Sequence, residues 1–139
     1  ECAKELLERG ADTEAKDDGG CTALHLAATL GKVECTRQLL ERGAETEAKS
    51  DDAYTALHIV VLRGYSECAK ELLERGADTE AKDDGGCTAL HLAATLGKVE
   101  CTRQLLERGA ETEAKSDDAY TALHIVVLRG YSECAKELL

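Results

Sequence analysis

The sequence predicts an all-α solenoid, built from stacked helix-turn-helix units joined by projecting β-turn loops. Three observations lead there: a literal internal duplication, a looser period inside it, and helix start and stop signals that recur at that period. Residues 1–73 read ECAKELLERGADTEAKDDGGCTALHLAATLGKVECTRQLLERGAETEAKSDDAYTALHIVVLRGYSECAKELL, and residues 67–139 repeat them without a change. Inside the 66-residue unit, TALHLAATLG (22–31) answers to TALHIVVLRG (55–64), a step of 33. A fixed period of this length marks a repeat architecture, in which each motif is one supersecondary unit.

Each motif yields two helices. Thr22 stands before Ala-Leu-His-Leu-Ala-Ala, a hydroxyl N-cap ahead of good helix formers, and Gly31 stops that helix because glycine enters positive φ at little cost. A second helix is expected from about Val33 to Arg42. Its Cys35, Thr36 (through the methyl), Leu39 and Leu40 fall on one stripe, and Cys68, Ala69, Leu72 and Leu73 form the matching stripe one motif on. Gly43 closes the helix, and the polar stretch 44–53 makes a projecting turn. Such short helices do not hold alone, so each must bury its stripe on a neighbour.

Composition agrees. Hydrophobic residues make up 43% and charged residues 32% of 139 residues, a globular balance, yet Phe, Trp, Met, Pro and Asn are absent. A core drawn from Leu, Ala, Val, Ile and Cys suits thin repeated layers. A net charge of −11 disfavours nucleic acid, whose binding depends on Lys and Arg, and favours basic partners. No apolar run of about 18 residues is present to span a bilayer, and no charged-then-apolar leader opens the chain. The chain does not begin with Met, from which a processed, excised or engineered segment is expected.

The pattern T-x-L-H-x-A-A, then G, then L-L-x-x-G-A-D at a 33-residue spacing resembles the ankyrin repeat over the whole chain. In that register residues 1–139 form one domain, with full repeats at 17–49, 50–82 and 83–115 and partial repeats at 1–16 and 116–139. The sequence departs from the family pattern in four places. Ala23, Ala56, Ala89 and Ala122 replace the usual Pro, and Ala53 and Ala119 replace a tight-turn Gly. Glu14, Glu47, Glu80 and Glu113 stand where Asn is common, so the modification that asparaginyl hydroxylases make in ankyrin-like proteins is not expected. Val60-Val61 replaces the narrow Ala27-Ala28 pair; β-branched residues fit a helix less well, and alternate layers are expected to compensate in volume.

The resemblance implies a non-catalytic protein-protein interaction module that binds through turn tips and first helices on a concave face. Carried over residue by residue, the contact positions are Asp18, Cys21 and Leu30 in one version, with Gly19 and Thr29 beside them, and Asp51, Asp52, Tyr54, Leu62 and Arg63 in the other. The later copies are Asp84, Cys87 and Leu96, then Asp117, Asp118, Tyr120, Leu128 and Arg129. Tyr54 and Tyr120 are the leading candidates, since exposed Tyr offers rigid amphipathic contact area. The flanking aspartates suit a basic or repetitive partner; equally, acidic tips keep a stack soluble. Tyr65 and Tyr131 are assigned to packing or plain surface.

No catalytic site, metal or cofactor is expected. His25, His58, His91 and His124 recur beside Thr, and the resemblance implies that they lock the turn rather than act as bases. No Gly-rich phosphate loop or Ser-His-Asp set appears. Cys2, Cys35, Cys68, Cys101 and Cys134 read as small core hydrophobes, one per motif, too far apart along a stack to bridge. Cys21 and Cys87, placed on exposed turns four residues before a His, read as metal-binding, reactive or simple contact residues. Zinc wants four ligands and this spacing offers two, so a structural or contact role is expected. Seven unpaired thiols suit a reducing, cytoplasmic setting. The alternative to a binding module is a structural or synthetic repeat array that stacks head to tail into a filament or lattice, since surfaces recur every 66 residues and neither end carries a polar cap.

Overall fold

The computed structural model describes residues 2–139. Helices come in pairs separated by a single tight turn: α1 (Cys2–Glu8) alone, then α2 (Ala23–Leu30) with α3 (Val33–Glu41), α4 (Ala56–Arg63) with α5 (Ser66–Glu74), α6 (Ala89–Leu96) with α7 (Val99–Glu107), and α8 (Ala122–Arg129) with α9 (Ser132–Leu138). No strand occurs among the described residues. The first helices pack in a row, α2 on α4 on α6 on α8, and the second helices in a parallel row, α1 on α3 on α5 on α7 on α9. The two rows enclose one continuous core.

Local chemistry sets the helix boundaries. Thr22, Thr55 and Thr121 accept a hydrogen bond from the backbone N–H three residues on, and Gly31, Gly64, Gly97 and Gly130 close the first helices in the left-handed region. Second helices end in paired return bonds: Ala44 N–H donates to Leu39 O at 3.0 Å, and Gly43 N–H to Leu40 O at 3.1 Å. Thr36 is buried and donates to Lys32 O at 2.9 Å, which leaves its methyl to the core.

The wide Val60-Val61 layer lies between the narrow Ala27-Ala28 and Ala93-Ala94 layers, and all six side chains are buried. Tyr65 covers Gly31, where an added Cβ would sit 3.0 Å from the ring, and Tyr131 covers Gly97 in the same way. Both rings therefore pack on a glycine of the preceding layer, Tyr131 half-buried and Tyr65 with its outer side exposed.

The cysteine ladder needs correction at one end. Cys68, Cys101 and Cys134 are buried, but Cys2 is exposed and Cys35 only half-buried. Cys134 packs towards the preceding layer, against Thr102, and Cys68 does so against Thr36. No layer precedes α1 among the described residues, and α1 has no first helix beside it.

The substitution of Gly by Ala in the second version carries strain. Ala53 and Ala119 hold φ of 64° and 66°. This region costs a residue with a Cβ about 1 kcal/mol. Ala53→Gly and Ala119→Gly should each raise stability by about 1 kcal/mol, read as a higher denaturant midpoint at unchanged slope. The duplication supplies an internal control for burial. Val61 is 0% exposed and its duplicate Val127 is 67% exposed. In dilute solution Val61→Ala should cost about 2 kcal/mol and Val127→Ala less than about 0.5 kcal/mol. Equal costs in denaturation would show that the layers do not share a core.

Candidate interaction surface

The face formed by the first helices and the turn tips rests on a histidine clamp. Thr22 N–H donates to His25 Nδ1 at 3.0 Å, with the Thr22 hydroxyl also 3.0 Å from that nitrogen. A backbone N–H is always the donor, so Nδ1 accepts and the neutral ring carries its proton on Nε2. Nε2 then donates across to the next layer, to Tyr54 O at 2.9 Å. His58 reaches Ala81 O at 3.0 Å, and His91 reaches Ala114 O and Tyr120 O at 3.0 and 2.9 Å. One ring thus caps its own helix and ties down the following loop. Both nitrogens of His25 are committed, which leaves no lone pair for a metal beside Cys21. No group of three or more His, Cys, Asp or Glu side chains able to hold a metal comes together among the described residues.

Further ties run along the loops. Glu14 accepts from Glu45 N–H at 3.1 Å, Glu47 from Asp78 N–H at 2.9 Å and Glu80 from Glu111 N–H at 3.0 Å. The glutamates that depart from the family pattern therefore act as acceptors binding each loop to the next. Sequence reading missed this role; the signal was their recurrence in all four motifs. The tips themselves are held by Asp17 and Asp83. Asp17 Oδ1 accepts from Gly19 N–H at 2.9 Å and Cys21 N–H at 3.0 Å, and Asp83 repeats the arrangement with Gly85 and Cys87. In the second version Ser50 and Ser116 do this less closely, accepting from Tyr54 and Tyr120 N–H at 3.4 and 3.3 Å. Asp51 N–H donates to Gly19 O at 3.0 Å, and a Cβ on Gly20 would lie 2.3 Å from the Asp51 carboxylate. Glycine at position 20 is what lets one tip lie against the next.

Against this scaffold, Asp18, Asp51, Asp52, Asp84, Asp117 and Asp118 are exposed, as are Leu30, Leu96, Leu128, Arg63 and Arg129. Leu62 is half-buried. The two candidate tyrosines differ. Tyr120 is exposed, whereas Tyr54 is half-buried; each ring lies 5.9 Å from its own histidine, His124 or His58. Burial, then Asp83 and Asp52, pushes the Tyr54 hydroxyl above the usual tyrosine range. Thr29 and Thr95 donate to His25 O and His91 O at 2.9 Å, so their hydroxyls are already used.

Cys21 and Cys87 are half-buried, not exposed as expected. Burial pushes both thiols up, and the aspartates around them, Asp17, Asp51 and Asp52 at one and Asp83, Asp117 and Asp118 at the other, push further. A ring of carboxylates opposes the thiolate, which is the reactive form. Cys101 is pushed up to about 11 by burial.

His58 is held below the usual histidine range, chiefly by burial, with Lys49 adding to the effect while the bond to Ala81 and the Asp83 charge oppose it. The unfolded chain therefore binds more protons between the folded value and the ordinary value near 6.5. The stability contributed by the neutral ring is complete above that ordinary value and is lost as pH falls through the folded one. Protonation would also set an Nδ1–H against the Thr55 N–H. Titration of the imidazole by NMR should place the His58 midpoint below about 6.5, and a midpoint above it would remove the clamp's acid sensitivity.

The sequence model for ankyrin repeats (three copies) matches residues 1–83 and again residues 57–139, which together cover the chain. A comparison with curated proteins returns no match. Ankyrin repeats mediate protein-protein interaction, and no helix of the described residues is long and apolar enough to cross a membrane. With the paired helices, the capped first helix and the family match in agreement, the chain belongs to the ankyrin-repeat family.

Proposed function

We propose that residues 1–139 act as a single, non-catalytic binding domain for a basic protein segment, taken on the face of first helices and turn tips. The observation that carries the reading is the row of free carboxylates at the tips, Asp18, Asp51, Asp52, Asp84, Asp117 and Asp118, beside exposed leucines. The carboxylates that build the tips, Asp17 and Asp83, are spent on backbone bonds, so the others are available to a partner. Net charge of −11 steers a cationic partner towards the domain. The same contact set recurs 66 residues on, which favours a partner with repeated basic elements through effective concentration. The histidines are consumed in capping, which leaves no base aimed at a nucleophile and supports a non-catalytic role. Seven free cysteines, three of them buried, support a reducing compartment such as the cytoplasm.

Titration calorimetry with a Lys/Arg-rich peptide tests the reading. Tyr120→Ala should weaken binding about tenfold, and Asn at positions 51, 52, 117 and 118 together should flatten its salt dependence. Affinity untouched by both changes would reject this face.

A further inference from the structure

We propose that the array bends where α4–α5 meets α6–α7, so that residues 17–82 and residues 83–139 tilt against each other as two stiff blocks of two layers. The hinge does not depend on what the tips bind.

The alternation of two motif versions makes two kinds of joint, and they are tied differently. Where α2–α3 meets α4–α5, and again where α6–α7 meets α8–α9, the tips touch: Asp51 N–H donates to Gly19 O and Asp117 N–H to Gly85 O, each at 3.0 Å. The rings of Tyr65 and Tyr131 cover Gly31 and Gly97. Arg37 joins Glu34 of its own helix to Glu71 of the next, and Arg103 joins Glu100 to Glu137 in the same way.

These ties are missing where α4–α5 meets α6–α7. No backbone bond links the tip at 50–54 to the tip at 83–87 among the described residues. Gly64 is covered by the side chain of Lys98, 3.2 to 3.3 Å from where a Cβ would stand. A lysine chain keeps more rotamer freedom than a packed tyrosine ring. Lys70 and Gln104 hold the places that Arg37 and Glu71 take one layer earlier. Gln104 donates to Ser66 O at 3.2 Å instead, and its own Oε1 is buried without a hydrogen-bond partner. A groove of about 300 Å³ opens beside it, lined by Glu67, Lys70, Leu73, Glu100 and Arg108 among others. The bond from Glu111 N–H to Glu80 and the contact of His58 with the Cys87 carbonyl still cross the seam, and the apolar core runs through it. The blocks therefore stay joined while the tips and the second helices can part.

One atom keeps the tips from closing. A Cβ on Gly20 would lie 2.3 Å from the Asp51 carboxylate, and one on Gly86 would lie as close to that of Asp117. At the seam Ala53 stands in the place of Gly20, with φ of 64°, and Asp84 stands in the place of Asp51. Ala53 carries that Cβ, so Asp84 cannot seat as Asp51 does. The looseness follows the sequence of the joint: Lys4 and Gln38, the duplicates of Lys70 and Gln104, meet between α1 and α3 beside a groove of about 150 Å³. Each block carries its own group of tip carboxylates, Asp18, Asp51 and Asp52 on one and Asp84, Asp117 and Asp118 on the other. Tilting changes the distance between the groups and leaves each group intact.

Electron–electron distance measurements between spin labels at positions 45 and 111, both exposed and one on each block, read the tilt. Keto amino acids carry the labels and leave the seven thiols untouched. The unmodified seam should give a broad distribution. Ala53→Gly should narrow it and slow exchange of the Asp84 N–H, followed by NMR, roughly tenfold. Ala119→Gly, the same change away from the seam, should do neither. Lys70→Arg with Lys98→Tyr and Gln104→Glu gives the seam the residues of the other joints and should narrow the distribution as well. A distribution already as narrow with the native seam as in this triple variant, or equal narrowing by Ala119→Gly, would overturn the hinge.

Discussion

Among the described residues no helix exceeds nine residues, and none of that length is stable in water by itself. Every layer is therefore held by the layers on either side of it. Two rows of helices share one core, and the apolar stripe of each second helix and the Ala-Ala or Val-Val pair of each first helix are buried only where a neighbour is present. Chemically identical side chains at different distances from an end demonstrate this directly, since the duplication changes position and nothing else. Stability in such an array is close to a sum of layers and of contacts between adjacent layers.

Polar ties give the stack its register. Apolar packing alone tolerates slippage, but a histidine that must cap its own helix through Nδ1 and reach the next loop through Nε2 accepts only one offset. The glutamate acceptors at 14, 47 and 80 impose the same offset along the loops. These carboxylates stand where Asn is common in the family, and they add to a strongly acidic surface. Between α3 and α5, and again between α7 and α9, Arg37 and Arg103 reach Glu71 and Glu137 at 2.9 Å. These pairs, half-buried at Glu71 and Glu137, still face solvent on the arginine side and contribute little compared with the buried layers.

The acidic surface bears on what the domain can hold. Carboxylates at the tips are divided between those that build the turn and those left free. That division is not visible in the DD pairs of the sequence. It arises because Asp17 and Asp83 sit at the start of a turn whose N–H groups point inward to a single oxygen, while their neighbours project into solvent. Tyr54 and Tyr120 illustrate the same point: identical residues in identical local sequence, one half-covered by the following tip and one open.

Much of the fold was legible in the sequence. The 33-residue period, the Thr caps, the glycine stops and the alternating narrow and wide layers all follow from local propensity and residue volume, and they recur from motif to motif. The capping role of the histidines was also legible, through resemblance to the family. What only the tertiary structure decided was how each identical copy is used. Cys2 and Cys35 are uncovered while Cys68, Cys101 and Cys134 are buried; Cys21 and Cys87 are half-buried among carboxylates; Glu14, Glu47 and Glu80 bond across layers; Val127 is open while Val61 is enclosed. The physical reason is that local sequence specifies helix, turn and stripe, whereas burial and hydrogen bonding across layers depend on which neighbour is there, and in a repeated chain that neighbour cannot be inferred from the residue's own surroundings in the sequence.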